Sequence, residues 1–348
     1  MILPAAAPIT IKPEDLNTLS DLIAISEKRQ HPLAAQAEQQ IEALCRKYGV
    51  LQHHLNQYTT MSGFMYPASP VDRLVASGLL FNTLIYIDDM HERAERTEGD
   101  DAAQEKIQIA LRTKFETAIN VLLTGQKPEE SYFLYDVALY LHRAFAPHAD
   151  GKWLPRIAKS LVDHLRVVTY DNSNVITAGK LDVGKYIDVR LLDAGMDPTM
   201  DMVEFTSNIY LPDELLQDKH IADMRNLCAR IGALMNDIFS YEKEVLWGET
   251  RWNLLVGYME SYEMDFAHAL HYSIEHVNDA TQAFKTLKMN MPVYGNTEVQ
   301  SAVEEYVTGL ENIISATWHW QIRTNRYRSI TSPYPELRSL LPETLVEL

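Results

Sequence analysis

The chain has 348 residues, with 31 Lys and Arg against 48 Asp and Glu, a formal charge of −17 at pH 7. No basic block interrupts that acidic excess, which argues against non-specific binding to nucleic acid or anionic membrane; an anionic substrate would need local cations, for which metal ions are the simplest source. Cys45 and Cys228 offer no disulfide framework and no metal-ligand spacing, the N-terminus Met1-Ile2-Leu3-Pro4-Ala5 has no secretory signal, and no apolar stretch approaches membrane-spanning length, so a cytoplasmic compartment is expected.

Hydrophobic periodicity reads as helix nearly throughout. Pro32 to Tyr48 is amphipathic, with Ala34, Ala37, Ile41, Leu44 and Cys45 on one side. Pro67 to Arg93 follows as a long helix with Pro near its start, then a charged loop from Ala94 to Glu105. Helices are expected over Lys106–Leu123, Ser131–Ala146, Trp153–Thr177 and Val183–Ala194. The last breaks at Gly195-Met196-Asp197-Pro198, and the pattern resumes to about Leu211. Asp213–Leu246, Tyr262–Met289 and Val299–Arg323 complete the series. No sustained alternation, internal repeat or low-complexity linker appears. The expected fold is all-α: a single-domain helical bundle over residues 1–348, with terminal segments at about 1–15 and 330–348.

Two polar constellations interrupt this apolar pattern. Asn236, Ser240 and Glu244 fall at i, i+4 and i+8, which lines an amide oxygen, a hydroxyl and a carboxylate along one helical face. Such hard oxygen donors suit Mg²⁺, which keeps waters and shares its sphere with phosphates. By itself the same pattern also describes a polar stripe on a solvated helix. Asp88-Asp89-Met90-His91-Glu92 ends the apolar run from Leu74 to Ile87. Asp88 and Glu92 share a face, with Asp89 beside them, and a bare cluster of this kind equally reads as an exposed helix end. His91 reads as a surface residue.

Further positions lie at suggestive places. Arg190 stands 46 residues before Asn236, on the helix that breaks at Gly195. Lys243 adjoins Glu244, and Arg326-Tyr327 follows Trp320 near the C-terminus. Taken singly, Arg190 pairs with any surface acid, Lys243 is solvated and Trp320 is core.

Together, Asp88-Asp89-Met90-His91-Glu92, Asn236 through Glu244, Arg190 and Arg326-Tyr327 resemble, in order and spacing, the microbial class I terpene synthases, the cyclases of bacteria and fungi. That family carries a D-D-x-x-D/E motif and an N-D-x-x-S-x-x-K-E motif. Tyr66-Pro67, Gly248 and Asn253 are smaller echoes, and the likeness spans roughly residues 30 to 330. Glu92 departs from the commoner final Asp of the acidic motif.

The resemblance implies three Mg²⁺, one held by Asn236, Ser240 and Glu244, the others bridged mainly by Asp88 with Asp89 and Glu92. It implies that Arg190, Lys243, Arg326 and Tyr327 bind the diphosphate of a prenyl diphosphate. Arg190, Asp193 and Ala194 would form an effector group at the kinked helix, the Ala194 carbonyl facing substrate, although Asp193 also reads as a helix cap. Trp320 would present its ring to a carbocation, and Phe81 is a second pocket candidate whose alternative is ordinary core packing. The expected reaction is cyclisation of farnesyl diphosphate to a sesquiterpene with release of diphosphate. Geranylgeranyl or geranyl diphosphate, a chain-elongating prenyltransferase and a non-enzymatic scaffold are the alternatives. A homodimer is compatible with the sequence but not read from it.

Overall fold

The computed structural model describes residues 19, 22 and 29–338 apart from 53–56, 96–100, 169–174 and 249, and, within helices, no side chains at 91–95, 101–105, 108 and 168. In chain order the helices are α1 (Ala34–Tyr48), α2 (Met61–Met65), α3 (Val71–Glu95), α4 (Asp101–Thr124), α5 (Phe133–Phe145) and α6 (Trp153–Val168). A small hairpin, β1 (Ile176–Thr177) with β2 (Lys180–Leu181), precedes α7 (Val183–Asp193) and α8 (Met196–Ser207). Then come α9 (Asp213–Leu216), α10 (Lys219–Tyr241), α11 (Leu254–Tyr262), α12 (Phe266–Met289) and α13 (Thr297–Gln321). The all-α expectation holds.

Local chemistry explains most boundaries. Asp182, Asp218, Asn253, Asp265 and Asn296 each accept backbone N–H bonds at the starts of α7, α10, α11, α12 and α13. Asp218 splits the expected helix Asp213–Leu246 into α9 and α10. The α form then gives way to a π-helical segment over Glu242–Trp247. Between α7 and α8 the break is confined to Gly195, whose left-handed φ of 65° suits a residue without Cβ. Pro198 sits in the first turn of α8, where its missing N–H costs nothing. Of the expected helix Trp153–Thr177, α6 accounts for Trp153–Val168, and its expected end, Ile176–Thr177, is strand β1. The β-hairpin beyond turns through Ala178 (φ 53°) and Gly179 (φ 79°), and strands of two residues are too short to alternate. Helix α11 falls between the expected helices Asp213–Leu246 and Tyr262–Met289, and the helical span is longer at both sides of the expected loop 94–105.

Helix α3 is apolar almost all round and runs through the core: Leu74, Ala76 and Leu79 are fully buried. Each fully buried Leu contributes roughly 1.5–3 kcal/mol. Ser77, Asn82 and Thr83 of α3 return hydrogen bonds to its own backbone, as with Asn82 Nδ2 to Gly78 O at 2.8 Å and Thr83 Oγ1 to Leu79 O at 2.7 Å. Arg73 pins α3 to the end of α8, donating to Phe205 O at 2.5 Å and Asn208 Oδ1 at 2.9 Å. Helix α10 packs against α12, α13, α7 and α8, which places its C-terminal half in the centre of the bundle.

Residues 330–338, expected as part of a terminal segment, are held on the bundle. Tyr334 is fully buried and donates to Ile238 O at 2.7 Å, and the Glu242 carboxylate accepts from Ser329 and Thr331 at 2.7 Å each. Residues 1–15 and 339–348 lie outside the described residues.

Candidate active site

The site is built around the end of α10. Ser240, fully buried, donates to Glu244 Oε2 at 2.7 Å. Asn236 turns its amide oxygen toward Arg190 Nη2 at 2.9 Å and donates through Nδ2 to the Tyr327 hydroxyl at 2.9 Å. Burial raises the Glu244 carboxyl above its ordinary range, while the charges of Lys243 and Arg190 oppose that shift. Among the described residues no three His, Cys, Asp or Glu side chains gather in metal-ligating geometry. The α10 set instead mixes one carboxylate with two neutral oxygen donors, the kind of sphere that Mg²⁺ completes with water and phosphate oxygens. The residues present therefore fit such an ion.

Arg190 projects from the last turns of α7 and is fixed on three sides. Nε donates to Asp237 Oδ1 at 2.8 Å, Nη1 to Asp193 Oδ2 at 3.1 Å and Nη2 to Asn236 Oδ1 at 2.9 Å. Burial disfavours its charge, but Asp237, Tyr186, Asp193 and Glu244 more than compensate and drive its pKa further up. Asp193 is not merely a cap. Its Oδ2 also accepts from Trp252 Nε1 at 3.0 Å, so the loop after the π-helical segment touches the end of α7. Ala194 stands at the helix C-cap immediately before the Gly195 kink, with its N–H bonded to Arg190 O at 3.0 Å.

The acidic cluster closes α3. Asp88 and Asp89 are partly buried, while the side chain of Glu92 lies outside the described residues although its backbone belongs to α3. Arg326 reaches toward this cluster, its Nη2 at 4.0 Å from Asp89 Oδ1. It sits on the short 3₁₀ turn Asn325–Tyr327, started by Thr324 Oγ1 accepting from Arg326 N at 3.2 Å. Burial disfavours the Arg326 charge as well, and the surrounding Tyr58, Tyr327, Asp89 and Glu244 raise its pKa on balance. The C-terminal pair thus spans the two motifs: Arg326 faces the end of α3, and Tyr327 is bonded to α10.

Aromatic rings form the adjoining wall. Trp320 stacks on Tyr58 with centroids 5.7 Å apart and meets Tyr327 edge-on at 6.1 Å. Its indole N–H donates to Gln57 O at 3.0 Å. The Arg326 guanidinium lies over Tyr58 at 5.0 Å. Phe81 is placed differently: buried in the core, it stacks on Tyr66 at 6.0 Å, and Tyr66 in turn donates to Thr199 O at 2.7 Å. Its ring partner is therefore Tyr66, at the end of α2, whose hydroxyl reaches α8.

Three residues of this arrangement were not singled out from the sequence. Asp237 is the most telling, because it shares a helical face with Ala233, Leu234 and Tyr241, all fully buried. A carboxylate on such a face is anomalous unless paired, and that anomaly was a readable signal. Burial raises its carboxyl, while Arg190 and the donors around it work in the opposite direction. Tyr58 and Trp252 lie outside the longer helices and carried no sequence signal.

A helical bundle that brings oxygen donors, acidic residues and two largely buried arginines to one place has the architecture of a class I terpenoid synthase. The chain belongs to the terpene synthase family: the model for terpene synthase family 2, C-terminal metal binding, matches residues 80–283. A relative named alpha-muurolene synthase, from Coprinopsis cinerea, is 32% identical over 150 residues, which cover 42% of this chain and 34% of that protein. The 10-epi-cubebol synthase of Sorangium cellulosum is 24% identical over 307 residues, covering 85% of this chain and 94% of its own length. Among solved structures, a cucumene synthase variant shares the fold with a TM-score of 0.74 at 17% identity, covering 87% of this chain and 99% of that one. Among the described residues, no helix is long and apolar enough to cross a membrane.

Proposed function

We propose that the protein ionises and cyclises a linear prenyl diphosphate, farnesyl diphosphate, to a sesquiterpene and releases diphosphate, with three Mg²⁺ as cofactors. The observation that carries this reading is the hydrogen-bonded line Arg190–Asn236–Tyr327, which joins a candidate diphosphate donor, a candidate metal ligand and the C-terminal Arg-Tyr pair. A relative from Roseiflexus castenholzii, 24% identical over 272 residues and named (+)-T-muurolol synthase ((2E,6E)-farnesyl diphosphate cyclizing), supports farnesyl diphosphate as substrate.

In this reading Asn236, Ser240 and Glu244 would hold one ion, and Asp88, supported by Asp89 and Glu92, would hold the others. Magnesium, when bound, supplies the positive charge that makes diphosphate a leaving group. Arg190 and Arg326 present planar N–H forks to the diphosphate oxygens, with the Tyr327 hydroxyl and Lys243 beside them. Asp193 couples Arg190 to the kink, where the Ala194 carbonyl directs its dipole at the developing cation. Trp320, with Tyr58 and Tyr327 around it, offers π-faces to the carbocation and excludes water.

The test is incubation of the pure protein with geranyl, farnesyl and geranylgeranyl diphosphates, with Mg²⁺ or with chelator, reading diphosphate release and volatile products by gas chromatography and mass spectrometry. Farnesyl diphosphate should be consumed only with Mg²⁺ and give cyclic products. Consumption of isopentenyl diphosphate into longer chains would move the protein to the prenyltransferases, and inertness toward every substrate would overturn the reading.

A further inference from the structure

Asp237 is one residue from Asn236, about 100° further round α10. Asn236 looks into the site; Asp237 looks into the contact between α10, α7 and the start of α11, where it is completely buried. Three donors from two other elements converge on its carboxylate: Tyr186 OH at 2.6 Å and Arg190 Nε at 2.8 Å from α7, and Leu254 N at 3.0 Å from the first residue of α11. The α11 N-terminus adds its dipole to these bonds. Asn253, the α11 cap, also ties its side chain to Asp237 O at 2.9 Å.

Arg190 has five N–H donors in a fixed plane. Asp237 takes Nε, the donor nearest the stem, and so sets how that plane is rotated. The two terminal nitrogens are then directed at Asp193 and Asn236, at the edge where Tyr327 joins the network. Of these three acceptors Asp237 alone is both charged and wholly buried; Asn236 is neutral and Asp193 is partly exposed. A buried carboxylate costs solvation that an amide of the same shape would not. What it supplies in return is a negative charge behind the guanidinium, on the side away from the site.

We infer that Asp237 is a positioning residue for diphosphate recognition, acting through Arg190, with Tyr186 holding Asp237 in turn. This inference rests on the proposed function, since it assigns Arg190 to the diphosphate. It predicts a loss that depends on the guanidinium. With Asp237→Asn, the affinity for inorganic diphosphate in Mg²⁺ should fall about tenfold or more, the scale of a lost charge-assisted bond. In an Arg190→Lys background, where the Nε contact is already gone, the same change should cost less than about twofold. Tyr186→Phe, which keeps the ring and removes only the hydroxyl, should follow the same pattern at about two- to fivefold and carries the test if Asp237→Asn does not fold.

The experiment is a double-mutant cycle by isothermal titration with Mg²⁺ and inorganic diphosphate, with the thermal midpoint of each variant measured alongside. An equal loss in both backgrounds, or a lowered midpoint with unchanged affinity, overturns the positioning role and returns Asp237 to the core. A wild-type protein that binds no diphosphate in Mg²⁺ overturns the functional reading instead, and this inference with it.

Discussion

Asn236 and Tyr327 stand 91 residues apart and are joined by one hydrogen bond, from the amide Nδ2 to the phenol oxygen at 2.9 Å. The bond latches the C-terminal 3₁₀ turn to α10 at the residue expected to ligate metal. Removing it with Tyr327→Phe leaves the Asn236 amide tethered by Arg190 alone. The Mg²⁺ concentration for half-maximal turnover should rise severalfold, about what one such bond is worth. An unchanged Mg²⁺ requirement would separate Tyr327 from the metal site.

Asn236→Leu and Glu244→Gln should each reduce turnover by at least about a hundredfold at saturating Mg²⁺, because each removes an oxygen ligand or its charge without opening a large cavity. Circular dichroism should show the bundle intact. Turnover near that of the wild type would sink the metal assignment.

Asp88→Asn should cost more activity than Glu92→Gln. Asp88 is the proposed bridging ligand, so its charge serves two ions, and Glu92 stands one turn further along the same helix. Steady-state rates across a Mg²⁺ series decide the order, and a reversal would mean that the direct ligand is Glu92.

Trp320 belongs to the aromatic wall and to the packing at once, so its variants should report on both. Trp320→Leu forfeits the stack on Tyr58 and the bond to Gln57 O, and should destabilise the fold by about 2–4 kcal/mol. It should also release simpler, earlier products as the π-face is lost. Trp320→Phe should shift the product ratios more mildly. Gas chromatography alongside thermal melts separates the effects: a lowered midpoint with an unchanged product ratio would confine Trp320 to packing.

His164 governs a pH term. It lies under the Gly195 kink with Nδ1 at 3.4 Å from Leu192 O, and burial lowers its pKa below the usual 6.5, against the pull of Asp193. A base with a lowered folded pKa is protonated first in the unfolded chain. Stability is therefore full above pH 6.5 and falls as pH drops from there toward the lowered value. Urea midpoints at about pH 5.5 and about pH 8 should differ less in His164→Gln than in the wild type. Equal pH dependence in the two proteins would clear His164 of this role.

What was legible in the sequence depended on how local its cause was. Asn236, Ser240 and Glu244 were readable because their spacing puts them on successive turns of one helix, and so was the start of α7 at Val183; the starts expected at Tyr262 and Val299 fall instead at Phe266 and Thr297, behind the caps Asp265 and Asn296. The partner of Asp237 could not be read, since Arg190 meets it only after α7 has packed on α10. Tyr58 was hidden for the same reason: its place beside Trp320 is made by two segments from opposite ends of the chain. Residues 330–338 looked like a tail because their bonds to Glu242 and Ile238 are long-range. The change from α to π at Glu242 has no residue signature of its own.

That change resets the phase of the helix as a screw. In unbroken α geometry eight residues make two full turns and overshoot by about 80°, so Glu244 would point nearly a quarter turn away from Asn236. A π turn advances less per residue, and the segment from Glu242 to Trp247 winds back part of that excess before Glu244, the third proposed ligand, is reached. The same letters on a straight α-helix would spell the motif and miss its aim. Here a local unwinding serves as the alignment step, and restoring the α pitch by deleting one residue from the segment would rotate everything that follows it, including Trp252 and the cap of α11.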